Sequence, residues 1–414
     1  MIDDILVHDA DAHVLEPNEL WGQYLAPQFA QRISRQTESA AARGVVDFQA
    51  SARLHLACLE AGVDPQLVSR ILAGTSVGAR CLRLDGQPIF EGISDEVWRR
   101  GVQHTLQHCL PALARHFDAA SQIANLRERG VDCCHLYPTT GLWLFAIAHL
   151  EPAFASALVA AYNNWLFDYC SLGPDFLRGV AAVSQHDPSA MPATVAWAAE
   201  HGWGAVYVRP NPFGGRTLSH PAYELFWAEC ERRNIAVAIH EGTHARLPAA
   251  GADRFVTRFG RHACSHPLEQ MMALLSLIEG GVLERYPKLR VAFMESGCGW
   301  LPYWLWRLDT IEYQNLAWEV PQNVRMKPSD YFRRQCFIAC EASEPGLDLV
   351  VKEFGTGCLL YGSDYPHMDH AAAIAADVEH ISARLGRVAA REVLWNNPRR
   401  FYGCDRPFGA AVEE

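Results

Sequence analysis

An aspartate and a histidine near the start of the chain have the spacing of a half-site for a metal ion. Asp11 and His13 lie in the stretch Val7-His8-Asp9-Ala10-Asp11-Ala12-His13. On an extended strand, residues two apart project from the same face. A carboxylate and an imidazole side by side are common ligands of divalent metals. A hydrogen-bonded Asp–His pair in a protein core would have the same sequence, so these two residues alone leave both readings open.

Eight short apolar segments could position such a site at their carboxyl ends. They begin near residues 7, 131, 177, 204, 235, 289, 335 and 358. Amphipathic helical stretches and turns rich in Gly and Pro separate most of them. Several segments are apolar on both faces, as buried parallel strands are. We therefore predict an α/β fold, a (β/α)8 TIM barrel. An open doubly wound sheet is disfavoured because its first strand is typically followed by a glycine-rich fingerprint, which is not found here.

The stretch from residue 18 to residue 118 interrupts this alternation and is too long to be a plain loop. It contains helical patterns at 51–73 and 95–110. We predict that residues 1–17 form the first barrel strand, that 18–118 form a mainly helical insertion or cap, and that 119–414 form the remainder of the barrel.

Composition narrows the class of protein. The 414 residues are 50% hydrophobic and carry a formal net charge of −11, without a Lys/Arg run that would follow nucleic-acid phosphates. We see neither a secretory signal nor an apolar run long enough to cross a bilayer. The 13 cysteines include no C-x-x-C pair, which indicates buried thiols in a reducing compartment. We expect a cytoplasmic protein without a nucleic-acid or membrane partner.

Polar side chains at the ends of other predicted strands complete the half-site. His240 ends the fifth strand, Glu295 ends the sixth, and Asp364 follows the eighth. Taken singly, His240 could be a core histidine, Glu295 a salt-bridge partner and Asp364 a turn or N-cap residue. Because a barrel brings its strand ends together at one face, their joint occurrence favours a mononuclear metal site.

Several segments carry a resemblance to a known family. They are Asp11-Ala12-His13 with Glu16-Pro17, His240, Tyr286-Pro287-Lys288-Leu289-Arg290-Val291 with Glu295-Ser296-Gly297, Tyr361-Gly362-Ser363-Asp364-Tyr365-Pro366-His367, and Asn397-Pro398-Arg399-Arg400-Phe401-Tyr402-Gly403. As a set, they resemble the amidohydrolase-2 group of the amidohydrolase superfamily. That group includes decarboxylases of aminocarboxymuconate semialdehyde, γ-resorcylate and 5-carboxyvanillate.

The resemblance implies one divalent metal ion, zinc or manganese, bound by Asp11, His13, His240 and Asp364. An aspartate as first ligand suits a harder ion such as manganese. The chain departs from the family's decarboxylases at the end of strand six, where they commonly have a histidine and this chain has Glu295. Glu295 could be a further ligand, a partner of His240, or a general acid/base, and we favour the last role.

The predicted function is that of a metal-dependent enzyme of this superfamily, a non-oxidative decarboxylase of a small aromatic or unsaturated carboxylate. Asp364 and Glu295 are the expected catalytic residues. The alternative is a hydrolase of an amide, lactone or ester, or a hydratase, using metal-activated water. A non-enzymatic barrel with a degenerate site is the third possibility.

Other residues near the predicted metal site are assigned supporting roles. Arg209, Trp300 and His367 are the expected contacts of a small-molecule carboxylate substrate. We expect Glu16 to orient the loop after strand one. The group's enzymes are expected to be homodimers, and aromatic residues after Glu295 could pack in such an interface. We assign His262 and His266 to a helix start or to the surface.

Overall fold

A computed structural model describes residues 2, 4–17, 19–35, 64, 82–89, 100, 104, 107–242, 247–367 and 373–404 of the chain. The statements below concern these residues. The predicted helix at 51–73, and most of the one at 95–110, lie outside them.

Strands are found at all eight predicted places, and one of them is split in two. The described strands are β1 His8–Val14, β2 Ile33–Arg35, β3 Leu82–Leu84, β4 Gln87–Pro88, β5 Cys133–Pro138, β6 Leu177–Gly179, β7 Ala181–Ala182, β8 Ala205–Val208, β9 Ala236–Ile239, β10 Val291–Phe293, β11 Cys336–Cys340 and β12 Leu359–Tyr361. The third predicted strand is the one divided into β6 and β7 around Val180.

Helices separate most of these strands. The described α-helices are α1 Leu20–Tyr24, α2 Pro27–Ala30, α3 Leu110–Ala114, α4 Ala119–Glu128, α5 Thr140–Leu144, α6 Pro152–Ser171, α7 Met191–Glu200, α8 Glu224–Arg233, α9 Arg258–Glu279, α10 Val282–Arg285, α11 Leu301–Trp306, α12 Pro328–Gln335, α13 Leu347–Phe354, α14 Ile374–Leu385, α15 Arg387–Arg391 and α16 Asn397–Tyr402. Short 3-10 segments lie at Pro221–Tyr223 and Ala317–Glu319, and π-helical segments at Arg307–Asn315 and Glu392–Asn396.

The strands β1 and β5 to β12 are paired in parallel, which confirms the predicted α/β class. One sheet has the order β1-β5-β6, and the other has the order β12-β11-β10-β9-β8-β7. Every residue of β9 and β11 is buried. Apolar residues on both faces of a strand are expected where helices cover a parallel sheet.

The carboxyl end of β1 is hydrogen-bonded to the segment that follows β12. The backbone N–H of Asp364 donates to the carbonyl of Asp11 at 2.8 Å, and that of His13 donates to the carbonyl of Tyr365 at 2.7 Å. Residues separated by about 350 positions in the chain are therefore adjacent where the site is expected.

The described part of the predicted insertion contains strands as well as helices. These elements are helices α1 to α3 and an antiparallel sheet of β2, β3 and β4. The pair Asp85-Gly86 joins β3 to β4, and both residues have positive φ, 50° and 76°. Asp-Gly is a preferred pair for the tight turn of a hairpin, so the sequence carried this signal. No α-helix among the described residues is long and apolar enough to cross a membrane.

Candidate metal centre and active site

Three of the four predicted metal ligands lie together at the carboxyl ends of the strands. Asp11 and His13 are on β1, and His240 directly follows β9. Their ligand atoms lie within 4.8 Å of one another. Asp11 Oδ1 is 3.5 Å from His13 Nε2 and 3.3 Å from His240 Nε2. Their side chains are almost completely buried.

The fourth predicted ligand adjoins this group. Asp364 follows β12, and its Oδ1 lies 2.7 Å from Nε2 of His13. Asp364 has a φ of 52°, which is uncommon for a residue with a side chain. Such backbone strain is concentrated at functional sites, where the surrounding structure enforces it.

Hydrogen bonds turn both histidines towards the acids. Nδ1 of His13 lies 2.9 Å from the carbonyl oxygen of Pro138, and Nδ1 of His240 lies 2.6 Å from that of Glu241. Since a carbonyl oxygen only accepts, each Nδ1 carries a proton and donates it. The Nε2 atoms therefore face Asp11, which is the arrangement of metal-binding histidines whose other nitrogen is bonded to a backbone carbonyl.

The site contains buried polar atoms and a cluster of carboxylates that a cation could bind. Asp11 Oδ1 and His240 Nε2 are buried without a well-formed hydrogen bond among the described residues. Burial would lower the pKa of His13, yet the carboxylates of Asp364, Asp11 and Glu295 raise it to about 10. A proton on His13 therefore neutralises part of the acidic cluster. A divalent cation would do the same with oxygen and nitrogen ligands of the usual kind, so the residues fit a metal ion.

Asp364 is also paired with His367. Nδ1 of His367 is 3.0 Å from both carboxylate oxygens of Asp364, and its Nε2 is 2.8 Å from Oγ1 of Thr139. The two ring nitrogens are thus engaged with protein groups. The predicted substrate contact of His367 stays a prediction, and the observed contact is with a predicted catalytic residue.

Glu295 follows β10 and contacts His240 of the group. Its Oε2 is 3.5 Å from Nε2 of His240 and 3.5 Å from Nε2 of His266, and its φ is 47°. Burial and the charge of Asp364 raise the pKa of Glu295, but His266 and His240 outweigh them, so the pKa is lowered. Glu295 is therefore an ionised carboxylate held between two imidazoles.

Two glutamates, Glu16 and Glu344, fix the loops that carry these side chains. Glu16 accepts the backbone N–H groups of Thr139, Thr140 and Gly141 at 2.9 to 3.2 Å, which joins the segment after β1 to the start of α5; its predicted role in orienting the loop after strand one stays a prediction. Glu344 accepts the backbone N–H groups of Cys298 and Gly299, just after Glu295. A carboxylate that accepts several N–H groups holds a loop in one conformation.

Asp9 ties the two ends of the site together. It accepts the backbone N–H of Ser363 at 2.9 Å and its hydroxyl at 2.5 Å, next to Asp364. Gly362 packs against β1 so closely that a Cβ there would lie 2.5 Å from Cβ of Asp11. The relative placement of Asp11 and Asp364 therefore depends on direct contacts between the two segments.

Arg209 and Trp300, the other predicted substrate contacts, differ in how strongly their polar groups are bound by the rest of the protein. Arg209 is buried, forms an ion pair with Glu241, and donates to the carbonyls of Leu142 and Gly242 at 2.8 and 2.9 Å. Its guanidinium is thus held by the protein. Trp300 is partly buried, lies just before α11, and has Nε1 3.4 Å from Oγ of Ser296.

The assignment of His266 to the surface or a helix start was wrong. It is the ninth residue of α9, is only 6% exposed, and contacts Glu295. The spacing of His262 and His266 places both on one helix face and was a usable signal. The contact with Glu295 had no signal in the sequence, because it depends on how α9 packs against the strand ends.

Comparison with known proteins identifies the family. A family model described as amidohydrolase matches residues 114–404, and the chain therefore belongs to this family. The γ-resorcylate decarboxylase of Rhodococcus jostii is 26% identical over 227 residues, 51% of this chain and 67% of that protein. The 2-amino-3-carboxymuconate-6-semialdehyde decarboxylase of Dictyostelium discoideum is 26% identical over 192 residues, 46% of this chain and 51% of that protein, so the chain spans about half of its length.

A solved structure extends the likeness to nearly the whole chain. The 5-carboxyvanillate decarboxylase of Novosphingobium aromaticivorans, with bound manganese and 3-methoxy-4-hydroxy-5-nitrobenzoic acid, has a TM-score of 0.64 at 17% identity. The match covers 97% of each chain. At this identity the likeness concerns the fold, and the family resemblance inferred from the motifs is confirmed by the family match.

Proposed function

We propose that this member of the amidohydrolase family catalyses the non-oxidative decarboxylation of a small aromatic or unsaturated carboxylate. The observation that carries the proposal is the buried group of Asp11, His13 and His240 with Asp364 beside it. The relatives named above, which are decarboxylases of carboxylates of this kind, support the choice of reaction.

Asp11, His13, His240 and Asp364 are the proposed ligands of one divalent ion, zinc or manganese. Two carboxylates among four ligands favour manganese, and the related 5-carboxyvanillate decarboxylase holds that metal. When bound, the ion would attract the substrate's carboxylate and withdraw electron density from the reacting group.

The chain's own residues would manage the proton that the reaction consumes. Decarboxylation replaces the carboxylate by hydrogen: a proton binds the carbon, the bond to the carboxyl carbon breaks, and its electron pair stays with the ring as carbon dioxide leaves. A positioned acid next to that carbon accelerates such a step by about 10²- to 10⁴-fold. Asp364, contacted by His367, is the proposed proton donor, and Glu295 is the proposed second acid/base.

Substrate contacts are proposed for Trp300, which lies in the segment between β10 and α11, and for His367, which contacts Asp364 after β12. Arg209 would reach a substrate carboxylate only by exchanging its ion pair with Glu241, because its N–H donors bind protein acceptors.

We further propose that the two parallel sheets close into a (β/α)8 barrel. Two junctions support closure: β6 is followed by β7 after Val180 alone, and backbone hydrogen bonds join β1 to the segment after β12. Residues 18–118 would then be an insertion after the first strand, followed by the 119–414 remainder of the barrel. The family match, which begins at residue 114, supports this division.

A homodimer is the proposed assembly. Tyr303 and Trp306 on α11 are 58% and 54% exposed, and Trp318 is 77% exposed. Large exposed aromatic side chains are typical of protein interfaces. The described cysteines are thiols, which supports a reducing compartment such as the cytoplasm.

The test is a substrate screen joined to metal analysis. Protein stripped with a chelator and reloaded with manganese or zinc is assayed on hydroxybenzoates and unsaturated dicarboxylates for release of carbon dioxide. We expect activity only after reloading, and a loss of about 10²-fold or more in Asp364→Asn. Asp330→Asn, an exposed aspartate on α12, is the matched control. Appearance of a new carboxylate without carbon dioxide from esters, lactones or amides would contradict the proposal and favour hydrolysis.

A further inference from the structure

His266 is a buried histidine beside the site that the proposed ligand set leaves out. It lies on α9, and only 6% of its surface is exposed. One turn later on the same helix, Gln270 donates to the carbonyls of Ile239 and Met294 at 2.8 and 3.1 Å. These residues end β9 and precede Glu295, so the helix is held directly against the strand ends that carry the site.

The hydrogen bonding of the His266 ring directs a donor at Glu295. Nδ1 of His266 lies 3.2 Å from Oγ of Ser265, whose hydroxyl can donate to it. With Nδ1 as acceptor, the proton of a neutral ring is on Nε2. Nε2 is the atom that lies 3.5 Å from Oε2 of Glu295.

Glu295 is held at its backbone as well as at its carboxylate. Glu344 binds the N–H groups of Cys298 and Gly299, and Glu295 has the strained φ of 47°. Its Oε2 lies between His240 and His266, at 3.5 Å from each Nε2. Oε2 is therefore the oxygen of Glu295 that both imidazoles contact.

We propose that His266 is a positioning residue of the active site, which holds the carboxylate of Glu295 in place for proton transfer through its contact with Oε2. The inference rests on the proposed function, because it takes Glu295 as an acid/base of that reaction. His266 acts through Glu295 and touches neither substrate nor metal. Its removal therefore changes the turnover step more than it changes substrate binding.

A kinetic double-mutant cycle tests this role. We expect His266→Gln to lower kcat by about 10- to 100-fold, with KM changed by less than about 3-fold and metal content unchanged. In a Glu295→Gln background, the same change lowers kcat by less than about 2-fold further, because residues that act as a unit are not additive. His380→Gln, an exposed histidine on α14, is the matched control and keeps the wild-type kcat. Equal losses from His266→Gln in both backgrounds would overturn the proposal.

Chemical rescue separates positioning from general structural damage. His266→Ala leaves a space of imidazole size, and added imidazole should restore part of kcat in a saturable manner. No rescue in a variant that keeps the wild-type unfolding midpoint would contradict the role. If either variant fails to fold, His266→Asn replaces it in the same assays.

An NMR measurement that does not require turnover tests the contact between His266 and Glu295 independently of the proposed reaction. In protein with ¹³C-labelled histidine rings, the His266 cross-peak is identified by its loss in His266→Gln. It should be displaced in Glu295→Gln and unmoved in Asp330→Asn. If no substrate is decarboxylated but the cross-peak moves, the proposed reaction fails while the contact stands. If the cross-peak does not move, the contact between His266 and Glu295 is refuted whatever the reaction.

Discussion

Metal binding should expel a proton from His13, and this is the sharpest test of the centre. In the metal-free protein, burial opposes the charged ring, but Asp364, Asp11 and Glu295 raise the pKa of His13 to about 10. Nδ1 keeps its proton because it donates to Pro138. The proton that a metal must displace is therefore the one on Nε2.

The size of the effect follows from this pKa. At pH 8, which is about 2 units below the pKa of about 10, His13 is about 99% protonated in metal-free protein. Binding of one ion then releases about one proton between pH 7 and pH 9. The apparent association constant should rise by about tenfold for each unit of pH in that range.

Calorimetric titration with manganese, in buffers of different ionisation enthalpy, measures the number of protons released. His8→Gln is a matched control: His8 lies on the same strand, but burial lowers its pKa to about 3, so it carries no proton to lose at neutral pH. Its replacement should leave the count near one. Tight binding with no proton released at pH 7 to 9 would refute the ligand role of His13 Nε2.

Three further outcomes follow from contacts elsewhere in the fold. Gly362→Ala places a Cβ 2.5 Å from Cβ of Asp11 and should weaken manganese binding by about tenfold or more, as measured by equilibrium dialysis. Binding unchanged by this substitution would contradict the close approach. His8 titrates at about 3 when folded and near 6.5 when unfolded, so stability is lost as the pH falls from 6.5 towards 3. Urea unfolding should show about 2 kcal/mol lost to this group by pH 5, and an equally steep decline in His8→Gln would count against it. Arg209→Met leaves a buried carboxylate unpaired and should cost about 3–5 kcal/mol of unfolding free energy, whereas Arg232→Met on the surface should cost about 0–1 kcal/mol. Similar losses of unfolding free energy in the two arginine variants would show that the buried ion pair contributes no more to stability than a surface one.

The parallel strands and most of the proposed ligands were predictable because both follow short repeating patterns. Alternation along β1 places Asp11 and His13 on one face, and parallel strands end at the same edge. The antiparallel hairpin around Asp85-Gly86 was missed although its turn pair is a known signal, because the surrounding residues were read as a helical cap.

Contacts between distant elements lay beyond prediction from sequence. Arg209 was expected to face a substrate, yet its guanidinium is bound by Glu241 and by backbone carbonyls. The position of His266 depends on Gln270, which docks α9 across two strand ends. Periodicity tells which face of an element a side chain occupies, but not the angle and height at which that element packs on its neighbours.

The amino-acid sequence by itself determined the α/β class, the family, and the residue types at the strand ends, because those depend on local spacing. Only the tertiary structure decided which atoms meet. It directs the Nε2 atoms of His13 and His240 towards Asp11, and it places His266 against Glu295. Such contacts join segments far apart in the chain, and their geometry is set by packing of the whole core, which no short stretch of sequence encodes.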